Sequence, residues 1–342
     1  MPRHHFPQPQ GRIEYLTLAS AALSNNCLGD PVDRVVAVYL PAGYEAATEH
    51  YPVLVDLVGY TGSGLSHVGW KAFGESVPQR IDRLIAAGEM GPVIVVLPDC
   101  FTSLGGNQYI NSSVMGNWSD FLLQEVLPEI ESRYRVCPGA AHRGVFGKSS
   151  GGYGSMLQGM LSGEHWGAIA CHSGDMAFDL VYAHDFASTV MHLARFEGGI
   201  DGFMAHLQDC QKIASGDITC LMILAMAASY DPDPSSSYGV RLPVDMHTCE
   251  LLPDRWQNWL SWDPVQLIQQ APVQASLKSL AGLYIDCGAQ DQYRLVFGAR
   301  QLRDQMQQAG IEHHYAEFDD DHSSVDYRMD ISLPYLYSKI KA

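Results

Sequence analysis

The chain has 342 residues, 46% of them hydrophobic and 17% charged, enough apolar material to bury a large core and more than one simple domain usually spans. Its 38 acidic side chains outnumber 21 basic ones for a formal net charge of −17, and the basic residues never gather into a patch. Nucleic acid and anionic membrane surfaces are therefore not expected as partners.

The first stretch, MPRHHFPQPQGR (1–12), is proline-rich and polar and lacks the apolar core of a secretory signal, so it reads as a flexible tail on a cytoplasmic protein. Core sequence is expected from residue 13. Short β-branched runs bounded by turn residues then predict strands at RVVAVYL (34–40), PVLVDLV (52–58) and PVIVVLP (92–98). Others follow at HRGVFG (142–147), GAIACHS (167–173), AGLYIDCG (281–288) and EHHYAEF (312–318). Helical patterns lie between them at 75–89, 119–134, 151–162 and 293–310, the last stopping at Gly310. Near-continuous apolar strands alternating with helices predict an α/β architecture, a mostly parallel sheet covered on both faces. The alternation fails over 176–280, which holds helical patterns and no convincing strand; it reads as an insertion between two core segments, 13–175 and 281–342. Its apolar run ITCLMILAMAA (218–228) is too short to cross a bilayer and reads as a buried helix. The eight cysteines are scattered without CxxC spacing, as free thiols in a reducing compartment would be.

Chemistry concentrates where the strand at 142–147 meets the helix at 151–162. GVFGKSSGGYGSM places Ser149 between Gly147 and Gly151, the pattern of a nucleophile held at the tip of a tight strand-to-helix turn. The Ser150 N–H, at the start of the helix, is then placed to stabilise an oxyanion. A serine needs a base and the base an orienting carboxylate, and in such sheets both follow in the order Ser, Asp or Glu, His on loops beyond strand ends. Asp291 in AQDQY and His322 in DDDHSSVDY satisfy that order. The second oxyanion donor is expected from the loop after an early strand, where PVLVDLVGYTGSG offers the Tyr60 N–H behind Gly59.

Each assignment has a plainer rival. Asp291 would also serve as a helix cap, His322 as an ordinary loop histidine, and Asp286 as a competing acid, although it lies inside a strand. The run Asp319, Asp320, Asp321 reads as a solvated turn rather than a metal site, and His67 as a surface residue with some chance of lining the site. The histidine pairs at 4–5, 313–314 and 142/172 suggest no shared metal, since neighbours on a strand face opposite ways, and no metal or cofactor is expected. In DRWQNWLSWDP, Trp256 and Trp259 share one helix face and either dock the insertion on the core or form an apolar wall of a substrate pocket.

Seven ordered segments, from LGDPVDRVVAVYLPAGY through YPVLVDLVGYTGSG, VIVVLPDCFTSLGGNQYINSSVMGNW, GVFGKSSGGYGSM, ACHSGD and CGAQDQY to DDDHSSVDY, resemble the esterase D-like family of α/β hydrolases. That family includes S-formylglutathione hydrolases, enterochelin esterases, feruloyl esterases and the antigen 85 mycolyltransferases. The resemblance implies an α/β-hydrolase fold with a helical cap at 176–280. It also implies Ser149 as nucleophile, Asp291 as acid, His322 as base, and Tyr60 and Ser150 as backbone donors. Two positions depart from the family pattern: Val58 stands where a histidine is usual, and Ser150 where a bulkier residue often follows the nucleophile. The expected function is hydrolysis of a small carboxylic ester through an acyl-enzyme on Ser149. Transfer of the acyl group to an alcohol and an inactive scaffold used for binding are the alternatives.

Overall fold

The computed structural model describes residues 7–341. Its main sheet has eight strands: β1 (Arg12–Ala19), β2 (Asp33–Leu40), β3 (Val53–Leu57), β4 (Ile94–Pro98), β5 (Arg143–Lys148), β6 (Ala168–His172), β7 (Gly282–Gly288) and β8 (His314–Phe318). The spatial order is β1-β2-β4-β3-β5-β6-β7-β8, with β2 antiparallel to both neighbours and all other pairs parallel. This is the mostly parallel α/β sheet expected from the alternation of strands and helices.

All seven expected strands are present, and β1 is the one the sequence did not announce. RIEYLTLA mixes polar and apolar side chains, and every one of them stays at least partly exposed, as an edge strand permits. Within the segment expected as a tail, Arg12 already pairs with Leu40 and the Gly11 N–H donates to Asp82 at 2.8 Å, while residues 1–6, His4 and His5 among them, lie outside the described residues.

Strand alternation sends side chains to two cores. Val53, Val55 and Leu57 of β3 join Phe121, Met156 and Leu302 on one face, while Leu54 joins Phe146, Tyr284, Ile81 and Leu333 on the other. The first face carries helices α2 (Ser150–Leu161) and α5 (Leu295–Ala309), and the second carries α1 (Val77–Ala86) and α6 (Met329–Ile340). The helix expected over 119–134 is not uniform: it widens into π turns over Phe121–Val126 before resuming at Leu127–Arg133, where Pro128 has no N–H to return to the preceding turn.

Between β6 and β7 the chain leaves the sheet and forms short helices. Among them are α3 (Ser215–Tyr230), largely buried as its apolar run suggested, and α4 (Pro253–Leu260). No strand occurs there among the described residues, only an isolated bridge between Val244 and Leu251. No helix among the described residues is long and apolar enough to cross a membrane.

Candidate active site

The order of strands reverses around β3, β4 and β5, and loops leaving the carboxyl ends of strands flanking such a reversal frame a crevice. Ser149 sits there, between β5 and α2, with φ 58° and ψ −124°, a backbone state that costs a non-glycine residue about 1–3 kcal/mol. Two hydrogen bonds hold it: its N–H donates to the His172 carbonyl at 2.9 Å and its carbonyl accepts from Tyr153 at 2.8 Å. The flanking glycines are required by close approach. A Cβ on Gly151 would lie 1.8 Å from the Leu57 carbonyl oxygen, and one on Gly147 2.3 Å from the same atom. The turn therefore closes only because β3 and α2 touch backbone to backbone.

The loop after β3 runs beside the nucleophile, where a Cβ on Gly59 would meet the Ser149 Cβ at 3.5 Å. It is pinned on both sides of Gly59, with Tyr109 Oη donating to the Val58 carbonyl and Tyr60 Oη to the Leu104 carbonyl, each at 2.6 Å. Neither the Tyr60 nor the Ser150 N–H meets an acceptor among the described residues, so two backbone donors remain free beside Ser149.

Asp291 and His322 come together on the loops after β7 and β8. His322 Nδ1 lies 2.8 Å from Asp291 Oδ2, and Asp291 Oδ1 accepts the Tyr293 N–H at 2.9 Å. Asp291 thus divides its oxygens: one organises the turn into α5 and the other faces the imidazole. Gln292 Oε1 accepts the His322 N–H at 2.9 Å, and the Tyr293 ring meets the imidazole edge-on at 4.9 Å. Asp286 belongs elsewhere. It is buried on the opposite face of the sheet with His172 at 2.6 Å, Tyr284 Oη at 2.8 Å and Arg328 at 2.9 Å. Burial would raise its carboxyl, yet His172, Arg328 and Tyr284 hold it below the ordinary range.

Ser149, Ser150, Tyr60 and His322 line one cleft of about 640 Å³. Its walls also include His67, which is held by the buried Asp56 at 2.6 Å and so is part of the cleft rather than open surface. Three basic residues (Lys71, Lys148, Arg294) and three acidic ones (Asp175, Asp185, Asp326) share the lining. Burial lowers the Lys148 ammonium, partly offset by the Asp326 charge. Burial likewise pushes the Asp175 carboxyl up to about 6, against the Tyr182 hydroxyl that donates to it.

Trp256 and Trp259 do not line the cleft. Their rings pack edge-on against Phe186, and Trp259 also meets Tyr182 and Tyr230, leaving Trp256 6% and Trp259 0% exposed. The docking alternative for the tryptophan stripe describes this arrangement, and the apolar wall does not. The acidic run ties the loops after β7 and β8 together, with Asp319 accepting from Gln290 and Asp320 from Tyr327. His142 contacts the Ile340 carbonyl, far from His172 and its Asp286, while His313 and His314 engage the Ile311 carbonyl and the Tyr284 ring. Among the described residues no three metal-ligating side chains cluster, and all eight cysteines are free. Sequence reasoning assigned no role to Gln108, Asp175 and Tyr182: Gln108 and Asp175 lie in segments that carry the family resemblance, but only the packing of Gln108 against the Asp175–Tyr182 stretch shows that they meet.

Sheet order and the strained serine turn define the class, an α/β-hydrolase fold in which Ser149 shares a cleft with His322, itself paired to Asp291. The chain belongs to the family described as "Putative esterase", whose model matches residues 31–333. It is similar to Esterase Rv1288 of Mycobacterium tuberculosis, 32% identical over 191 residues, which are 53% of this chain and 38% of that protein. The chain thus spans well under half the length of the curated relatives it matches. Among solved structures, a ferulic acid esterase superposes with TM-score 0.62 at 20% identity, covering 97% of this chain and 99% of that one. An S-formylglutathione hydrolase from Agrobacterium tumefaciens gives TM-score 0.57 at 14% identity, covering 99% and 98%. At such identities these likenesses speak to the fold.

Proposed function

We propose that the protein hydrolyses carboxylic esters through an acyl-enzyme on Ser149. The observation that carries this reading is the His322–Asp291 pair at 2.8 Å, facing the same cleft as a serine held in a strained turn beside two unpaired backbone N–H groups. Ser149 Oγ attacks the ester carbonyl while His322 Nε2 takes its proton, and Asp291 stabilises the imidazolium through Nδ1. The Tyr60 and Ser150 N–H groups receive the oxyanion. The imidazolium then protonates the leaving alcohol, and water, deprotonated by the same histidine, releases the acid. Residues 176–280 act as a cap, since Val181, Tyr182, Ile218 and Met222 reach the cleft from that segment. Balanced lysine, arginine and aspartate in the lining suit a small uncharged ester, and buried free thiols suit the cytoplasm.

The test is Ser149→Ala assayed on a panel of p-nitrophenyl esters. The variant should lose on the order of 10⁴-fold or more in kcat with an unchanged melting temperature, and a fluorophosphonate should label Ser149 alone in the wild type. Residual turnover within tenfold of wild type, or labelling of another residue, would refute the assignment.

A further inference from the structure

Asp175 follows β6 and is only 7% exposed, yet it lines the cleft beside Ser149, Ser150 and His322. It takes no part in the mechanism above. Both protein donors that reach it, Tyr182 Oη at 2.9 Å and Gln108 Nε2 at 3.4 Å, bind one oxygen, Oδ2. Oδ1 receives no donor among the described residues and, unlike Gln108 Oε1, is not sealed from solvent. It is an acceptor open to the cleft, fixed in direction by two bonds on its sister oxygen.

The surroundings hold this arrangement at a cost. The Gln108 amide group faces three acceptors, Ser150 Oγ at 3.0 Å, Met226 Sδ at 2.9 Å and Asp175 Oδ2, while its own carbonyl oxygen is buried without a partner. The amide thus turns its N–H side, not its carbonyl, toward Asp175 and Ser150. On the cleft side Val181, Met222 and Leu295 are apolar, so a ligand covering Oδ1 without donating to it strands a desolvated carboxylate.

We infer that Asp175 is a specificity-determining residue that selects substrates carrying a hydroxyl hydrogen-bond donor. This rests on the esterase reading for its kinetic consequence, not for the binding itself. A hydroxyl is favoured over an ammonium because the lining's three basic and three acidic residues balance, Lys71 pairing with Asp326 at 2.9 Å, so the cleft has no net negative charge to draw a cation. Sites built to hydrogen-bond a substrate group discriminate strongly against analogues that lack it.

The experiment compares kcat/KM for ester pairs in which a hydroxyl replaces a methyl. One arm varies the acyl half, with p-nitrophenyl 3-hydroxybutanoate against 3-methylbutanoate and 3-(4-hydroxyphenyl)propanoate against its 4-methyl analogue. The other varies the alcohol half, with 2-hydroxypropyl against isobutyl acetate. Wild type should favour the hydroxyl member by about tenfold or more in at least one pair, and that pair tells which half of the ester meets Asp175. Asp175→Leu should bring the ratio to about one, and Asp175→Asn, which keeps the volume, should lower it less. A wild-type ratio of one or below in every pair overturns the inference, whatever the variants do, as does a ratio that survives both substitutions. If wild type turns over none of the esters, the esterase reading fails by itself. Calorimetric binding of the same intact pairs then decides, equal Kd within every pair overturning the role of Asp175.

Discussion

Asp286 and Asp291 are five residues apart, and their side chains end on opposite faces of the sheet. Asp286 and His172 continue to Ser332, whose Oγ lies 2.8 Å from His172 Nε2. That makes a second Ser-His-Asp string, but all three residues are buried and none lines the cleft. Asp291→Asn should therefore cut kcat by on the order of 10⁴-fold through misorientation of His322, with little change in stability. Asp286→Asn should instead lose about 3–5 kcal/mol by leaving buried His172 and half-buried Arg328 without their anion, seen as a lower denaturant midpoint with near-normal kcat in the folded fraction. The opposite pattern would move the catalytic acid to Asp286. Asp175 makes a prediction of a different sign. Its carboxyl lies at about 6 in the folded chain against an ordinary value of 3.8, so the folded state holds the proton more tightly than the unfolded one. That stabilisation is full below about pH 4 and is lost as pH rises through about 6, a difference on the order of 3 kcal/mol. Asp175→Asn should raise Tm relative to wild type at neutral pH, with the gain disappearing near pH 4. A variant less stable than wild type at neutral pH would contradict this.

At the scale of elements, the elbow shows how a strained residue is sustained by its neighbours. β3, β5 and the first turn of α2 approach so closely that only glycine fits at 147 and 151, and the hydrogen bonds of Ser149 to His172 and Tyr153 close the turn. Helix α4 illustrates the opposite case, a conspicuous motif whose role is packing. Trp259 is fully buried among Tyr182, Phe186 and Tyr230, and Trp256 anchors its indole N–H on Asp179 at 3.1 Å. Trp259→Ala should cost about 3–5 kcal/mol by opening a cavity, with the order of preferred ester substrates unchanged. A reordered substrate profile without loss of stability would return the tryptophans to the pocket.

Across the whole molecule, the central strands β3, β5 and β6 are flanked on both sides, whereas β1 and β8 end the sheet with partly exposed side chains. Native-state hydrogen exchange should accordingly be slowest in β3, β5 and β6 and fastest at β1 and β8, and equal protection throughout would show that the sheet opens only as a unit. Seven of the eight strands, the elbow and the order of Ser149, Asp291 and His322 were legible in the sequence, because buried parallel strands are continuous apolar runs and a strand-to-helix turn needs glycine at fixed spacing. β1 was not, since an edge strand need not bury a face. Position alone already set Asp286 inside a strand and Asp291 beyond its end, but residue order could not decide what the tryptophans do, because a helical stripe looks alike whether it meets a core or a ligand. The contact of buried Gln108 with Asp175 and Tyr182 at the cleft wall exists only in three dimensions: it spans 67 residues between Gln108 and Asp175, and local sequence carries no record of which distant groups will share a desolvated space.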